Sequence, residues 1–148
     1  MEERGPAELR MRRHAERFVR QVTARNRLPL DYSVNSLRVV DFILDGLRKG
    51  GSDRAAVQQV LFGIGAYTGE VLVRRAGARW VELDAGQREL FGQPCGVRMP
   101  DGRVWNPLGK VVKRFEVGER ESVRTFYLQL HGRVPQVRAA VGGGRRSG

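Results

Sequence analysis

The sequence predicts an α+β fold: an N-terminal three-helix segment, a small antiparallel sheet with a hairpin, and two C-terminal helices. Three observations lead there. Apolar residues recur at helical spacing from residue 8 to residue 75, the period drops to two between Ala78 and Asn106, and helical spacing returns from Pro107 to Leu130. Strands do not alternate with helices along the chain, so a parallel βαβ sheet is not expected, and the sequence contains no internal repeat.

The first helix is expected over residues 8–26, where Met11, Ala15, Phe18 and Val22 form one apolar stripe among arginines. Pro29 ends it, because proline lacks an amide donor and disfavours helix in the residue before it. Ser33 offers an N-cap for a second helix with Leu37, Val40, Ile43, Leu44 and Leu47 on one face, closed by Gly50 and Gly51. Ser52 and Asp53 offer the next cap. The third helix, from Arg54 to about Arg75, carries Val57, Val60, Leu61, Ile64, Val71 and Leu72, and is apolar enough to be central.

Strand-like segments follow at 79–83, 96–99 and 103–106, with Pro100-Asp101-Gly102 reading as the tight turn of a hairpin. Asn106 before Pro107 is an N-cap with proline at the first helical position. Leu108, Val111, Val112 and Phe115 mark the helix it opens, Gly118 stops it, and Val123, Phe126, Tyr127 and Leu130 mark a last helix before Gly132. The expected organisation is a flexible N-terminus at 1–7, a single α+β domain at 8–132 and a disordered basic tail at 133–148.

Composition narrows the function classes. The N-terminus begins with acidic residues and has no apolar signal core, no long apolar stretch suggests a membrane span, and the single cysteine, Cys95, excludes an intramolecular disulfide or a multi-cysteine metal site. A cytoplasmic setting is expected. The formal net charge is +11, unevenly spread: residues 1–27 hold eight Arg and four Glu, and 133–148 hold four Arg and no acid. A field of that sign favours nucleic acid, anionic lipid or acidic protein surfaces. Arginine makes up 24 of the 27 basic residues, a skew that a GC-rich genome also produces. On this reading the excess charge belongs to detachable ends and the body is close to neutral.

Four groups of residues invite chemistry. The string G-I-G-A-Y-T-G-E at 63–70 is glycine-rich but lacks a preceding strand and a terminal Gly-Lys-Ser/Thr, so neither phosphate-loop pattern is met. Its glycines cost a helix on the order of 1 kcal/mol each, and close approach of another element to Gly65 and Gly69 is the expected compensation. Glu70 can pair with Arg74 four residues on; with Tyr67, Trp80 and Trp105 they would line an aromatic, polar pocket if the fold turned them inward. Lys110 and Arg114 share a face after the Asn106 cap, either as an anion site or as a solvated basic face. His14, His131 and Cys95 fall in no nucleophile, acid–base or metal pattern, and Cys95 reads as a passive thiol. No cofactor and no metal are expected.

The blocks G-A-Y-x-G-E-V-L-x-R at 65–74, R-W-V at 79–81, N-P-x-G-K-V-x-K-R at 106–114 and G-E-x-x-S-V-x-x-F-Y at 118–127 resemble small bacterial domains of unknown function, mainly actinobacterial. The resemblance covers under half of the chain. It implies domain identity and a bacterial cytoplasmic setting, and carries over no functional residue.

The resulting expectation is a non-enzymatic binding or accessory module that recognises a protein partner or an anionic ligand, with Tyr67, Glu70, Arg74, Trp80, Trp105, Lys110 and Arg114 as ligand-binding candidates and no catalytic residue. One alternative is a nucleic-acid-binding protein using the basic N- and C-terminal segments. A second is an enzyme with a site near Tyr67, Glu70 and Arg74. The oligomeric state is left open.

Overall fold

The computed structural model describes residues 5–26, 28–51 and 53–130. His131 and the basic segment 133–148 lie outside them. Helix α1 spans Pro6–Asn26, α2 Leu37–Gly50, α3 Arg54–Ala76, α4 Ala85–Phe91, α5 Pro107–Val117 and α6 Val123–Leu130; strands β1, Arg79–Glu82, β2, Cys95–Arg98, and β3, Val104–Trp105, form one antiparallel sheet in the order β1-β2-β3. The fold is mostly helical with a small sheet, in keeping with α+β.

Capping chemistry sets several boundaries. Ser33 Oγ accepts from Ser36 N at 3.1 Å and opens a short 3₁₀ turn, Val34–Ser36, that runs into α2. Asp53 caps α3 by accepting from Ala56 N, and Asn106 Oδ1 accepts from Gly109 N at 2.9 Å ahead of Pro107. The hairpin forms as the turn residues require, with Met99 and Arg103 backbone-bonded around Pro100-Asp101-Gly102 and Val97 paired with Trp105. One helix escapes the sequence reading: α4 sits between β1 and β2, closed at its start by a reciprocal box in which Asp84 Oδ1 accepts from Gln87 N and Gln87 Oε1 accepts from Asp84 N. Its seven residues, AGQRELF, are too few to show a period.

The core is built around α3. Ile64 to Leu72 are buried without interruption, and α3 packs on α1, α5, β1 and β2. Such all-round burial makes α3 apolar enough, by length and composition alone, to cross a membrane, contrary to the reading that no stretch is long enough; 61% of that apolar window is buried inside the domain, as a core helix requires. The glycines serve the packing expected of them. A Cβ on Gly65 would stand 2.9 Å from Leu108 Cα, and one on Gly69 would fall inside the Trp80 indole, so these positions let α5 and the β1 tryptophan reach the α3 backbone.

The N-terminal segment is not a detachable end. Helix α1 starts at Pro6 and lays Ala7, Met11, Ala15 and Phe18 along α3, all at most 4% exposed. Gly63 permits the approach, since a Cβ there would sit 3.1 Å from Phe18 Cβ. Six arginines of α1, between Arg10 and Arg25, therefore ride on a fixed helix.

Candidate functional site

The seven residues singled out by sequence fall into three separate clusters. Around α3, Glu70 is 2% exposed and both its oxygens are engaged: Trp80 Nε1 donates to Oε2 at 3.0 Å, and Arg74 Nε lies 3.4 Å from Oε1. Tyr67 is fully buried, its hydroxyl accepting from Tyr32 N at 2.9 Å and 2.6 Å from Ser36 Oγ. Burial pushes the Tyr67 phenol up from its ordinary pKa despite these hydrogen bonds. Tyr67, Glu70, Arg74 and Trp80 thus do converge, as members of a buried network rather than as the lining of a cleft.

Tyr32 completes that network and was missed by the sequence reading. Its backbone has φ +64°, a left-handed conformation that costs a non-glycine residue on the order of 1 kcal/mol. Tyr67 holds its amide, Arg75 Nε donates to its carbonyl at 3.1 Å, and its ring is stacked on Tyr67 at 4.8 Å with the Arg74 guanidinium 3.6 Å from the ring centroid. The available signal was the L-P-L-D-Y-S turn, whose Asp31 accepts from Ser33 N.

Trp105 and Lys110 lie elsewhere. Trp105 packs edge-on against Phe126 with ring centroids 6.1 Å apart, and Lys110 Nζ donates to Glu121 Oε1 at 2.6 Å. Arg114 belongs to a third cluster. It is 2% exposed, with Nε 2.9 Å from Asp41 Oδ1 and Nη2 2.9 Å from Asp45 Oδ1. The expected anion site or solvated basic face at Lys110 and Arg114 is therefore corrected: the protein's own carboxylates occupy both cations. Asp41 and Asp45 escaped notice because two acids on a helix read as solvent-facing.

A different surface carries the unsatisfied charge. Between α1 and α3 runs a cavity of about 610 Å³ whose walls include His14, Arg17 and Gln21 from α1 and Gln58, Gln59 and Phe62 from α3. Beside it, on α1 alone and sharing His14 and Arg17 with it, lies a shallow concavity of about 400 Å³ bordered by Leu9, Arg10 and Arg13. On the other side it meets, through shared Gln58 and Phe62, one of about 220 Å³ that reaches Gln93, Leu108 and Val112. Among the described residues, no Asp or Glu lines any of the three.

The helix pattern explains the segregation. With Met11, Ala15 and Phe18 facing α3, the residues at 10, 14, 17 and 21 fall on the adjoining flank and Arg13 on the outer face of α1, while Glu16 lies aside and pairs with Arg12 at 3.3 Å. Arg10 is engaged by Glu82 at 3.3 Å and by Cys95 Sγ at 3.0 Å. Arg13 and Arg17 have no carboxylate within ion-pair distance among the described residues. His14 meets the Phe62 ring edge-on at 4.8 Å, tying the two walls together, and partial burial, then Arg17 and Arg10, lower its pKa from the ordinary histidine value. Cys95 is fully buried, and burial raises its thiol pKa in spite of Arg10, which agrees with a passive thiol. Among the described residues no group of three or more His, Cys, Asp or Glu is placed to hold a metal ion.

No family model, curated protein or solved structure matches the chain.

Proposed function

We propose that this protein is a non-enzymatic binding module that takes an anionic partner in the groove between α1 and α3. The carrying observation is that, among the described residues, no carboxylate lines three neighbouring concavities, and Arg17 on the groove wall and Arg13 on the outer face of α1 make no ion pair there, beside His14. Guanidiniums carried on a packed helix reach an anion from an already ordered backbone, so the ordering cost of binding is confined to their side chains. The enzyme reading near Tyr67, Glu70 and Arg74 finds less support, since the oxygens of Glu70 and Tyr67 are already hydrogen-bonded inside the core. The resemblance to small actinobacterial domains fits a module of this size and adds no chemistry.

Binding of the full chain to heparin, followed by calorimetry at low salt, tests the reading. Arg13→Gln/Arg17→Gln is expected to weaken it about tenfold, as loss of two charge-assisted contacts should. An affinity unchanged by that double substitution would move the anion site off this groove.

A further inference from the structure

We propose that a single nucleic-acid strand lies along α1 at the mouth of the α1/α3 groove, with phosphodiesters on Arg13 and Arg17 and a base reaching Phe62 and His14 within it. The inference rests on the anion-binding reading and names the anion.

Three features select this ligand over other polyanions. Arg13 and Arg17 are four residues apart on one helix, about 6 Å along its axis, a spacing suited to consecutive phosphates of an extended strand. Phe62 and His14 place two flat rings at the junction of the concavities, and every base offers a face to stack on such rings. Gln58 and Gln59 supply amides that donate and accept, as base edges require, beside an otherwise apolar floor. An acidic peptide would use the arginines but leave the rings and amides without a matching partner. A duplex keeps its base faces stacked on one another, so rings and amides of this kind take an unpaired strand.

This location differs from the basic ends expected from sequence. The N-terminal arginines act from a fixed wall, and the site needs nothing from residues 133–148.

The test is fluorescence anisotropy of the full chain with labelled oligo(dT) and oligo(rU) of ~12 nucleotides, long enough to span such a groove. Saturable binding is expected, weakening with salt. Arg13→Gln/Arg17→Gln should reduce the log–log salt slope by about 1.4, from ~0.7 per single-strand phosphate contact. Phe62→Leu keeps apolar volume but removes the stacking face, and should weaken binding roughly fivefold or more with the salt slope unchanged. Because Phe62 also supports α3, an unaltered melting curve for the leucine variant, together with the exposed arginine pair, keeps the test independent of folding. Arg145→Gln/Arg146→Gln in the tail should have little effect.

Binding that survives both groove variants, or that is lost only with the tail variant, overturns the proposal. So does failure of both oligonucleotides to bind while heparin still binds through Arg13 and Arg17, an outcome that leaves the anion-binding reading standing. If heparin also fails to bind, both are overturned.

Discussion

Arg114 and Asp41 form an ion pair 2.9 Å long across the α5/α2 interface, with the guanidinium almost wholly removed from solvent. The same Asp41 carboxylate accepts from Ser122 Oγ at 3.0 Å and Val123 N at 2.9 Å at the start of α6, so one acid on α2 orients two other helices. Asp45 adds a second contact to Arg114 but is far more exposed and contributes less.

Removing Arg114 leaves the partly covered Asp41 without its guanidinium while Ser122 and Val123 still hold it, so the loss falls at or below the cost of breaking a fully buried pair from one side, about 3–5 kcal/mol. Arg114→Met is therefore expected to lower the urea midpoint sharply, while Arg114→Lys, which keeps charge but not the two-pronged reach, falls between. A loss under about 1 kcal/mol for the methionine variant would remove Asp41 from this organising role.

Gly69→Ala is expected to destabilise the domain by about 1–3 kcal/mol, because the added methyl group has no space beside the Trp80 ring and overpacked cores shift at that cost. Gly46, also within a helix, has nothing within 4 Å of a built Cβ. Alanine there should stabilise by about 0.5–1 kcal/mol, the difference in helix propensity alone. Thermal melts of the two variants should shift in opposite directions; a shared direction would contradict the packing described for Gly69.

His14 makes two opposite pH dependences. Burial, then Arg17 and Arg10, depress its pKa in the folded protein, so above the ordinary value of ~6.5 no penalty exists. As pH falls below that value the unfolded chain binds the proton more readily, and folding stability declines until the folded pKa is passed. A phosphate in the groove favours the imidazolium, so anion binding takes up a proton and oligonucleotide affinity should rise from pH 8 to pH 6. His14→Gln should flatten both trends. Titrating the affinity at the two pH values checks this, and a wild-type affinity that falls on acidification would show that His14 does not face the anion.

Much of the fold was legible because its signals are local. The Asn106-Pro107 cap, the Pro100-Asp101-Gly102 turn and the Met11/Ala15/Phe18 stripe each act within a few residues. Of the candidate site residues, Tyr67, Glu70, Arg74 and Trp80 lie together in the structure, since Glu70 and Arg74 are one helical turn apart and Trp80 follows closely in the chain. Tyr32 and Asp41 were not legible: Tyr32 meets Tyr67 across 35 positions, and Asp41 meets Arg114 across 73.

The sequence by itself determined α1, α2, α3, α5 and α6, the hairpin, the caps at Ser33, Asp53 and Asn106, and the need for something to pack against Gly65 and Gly69, because hydrogen bonding and side-chain periodicity are short-range properties. Only tertiary structure decided which charges are spent internally and which are left over. Lys110 and Arg114, equal to any other basic residue on paper, are neutralised by Glu121, Asp41 and Asp45, while Arg13 and Arg17 have no ion-pair partner among the described residues, on a helix that looked like a flank. The reason is physical: the strength of a charge depends on its distance to opposite charge and on its burial, and both are set by contacts between elements far apart in the chain.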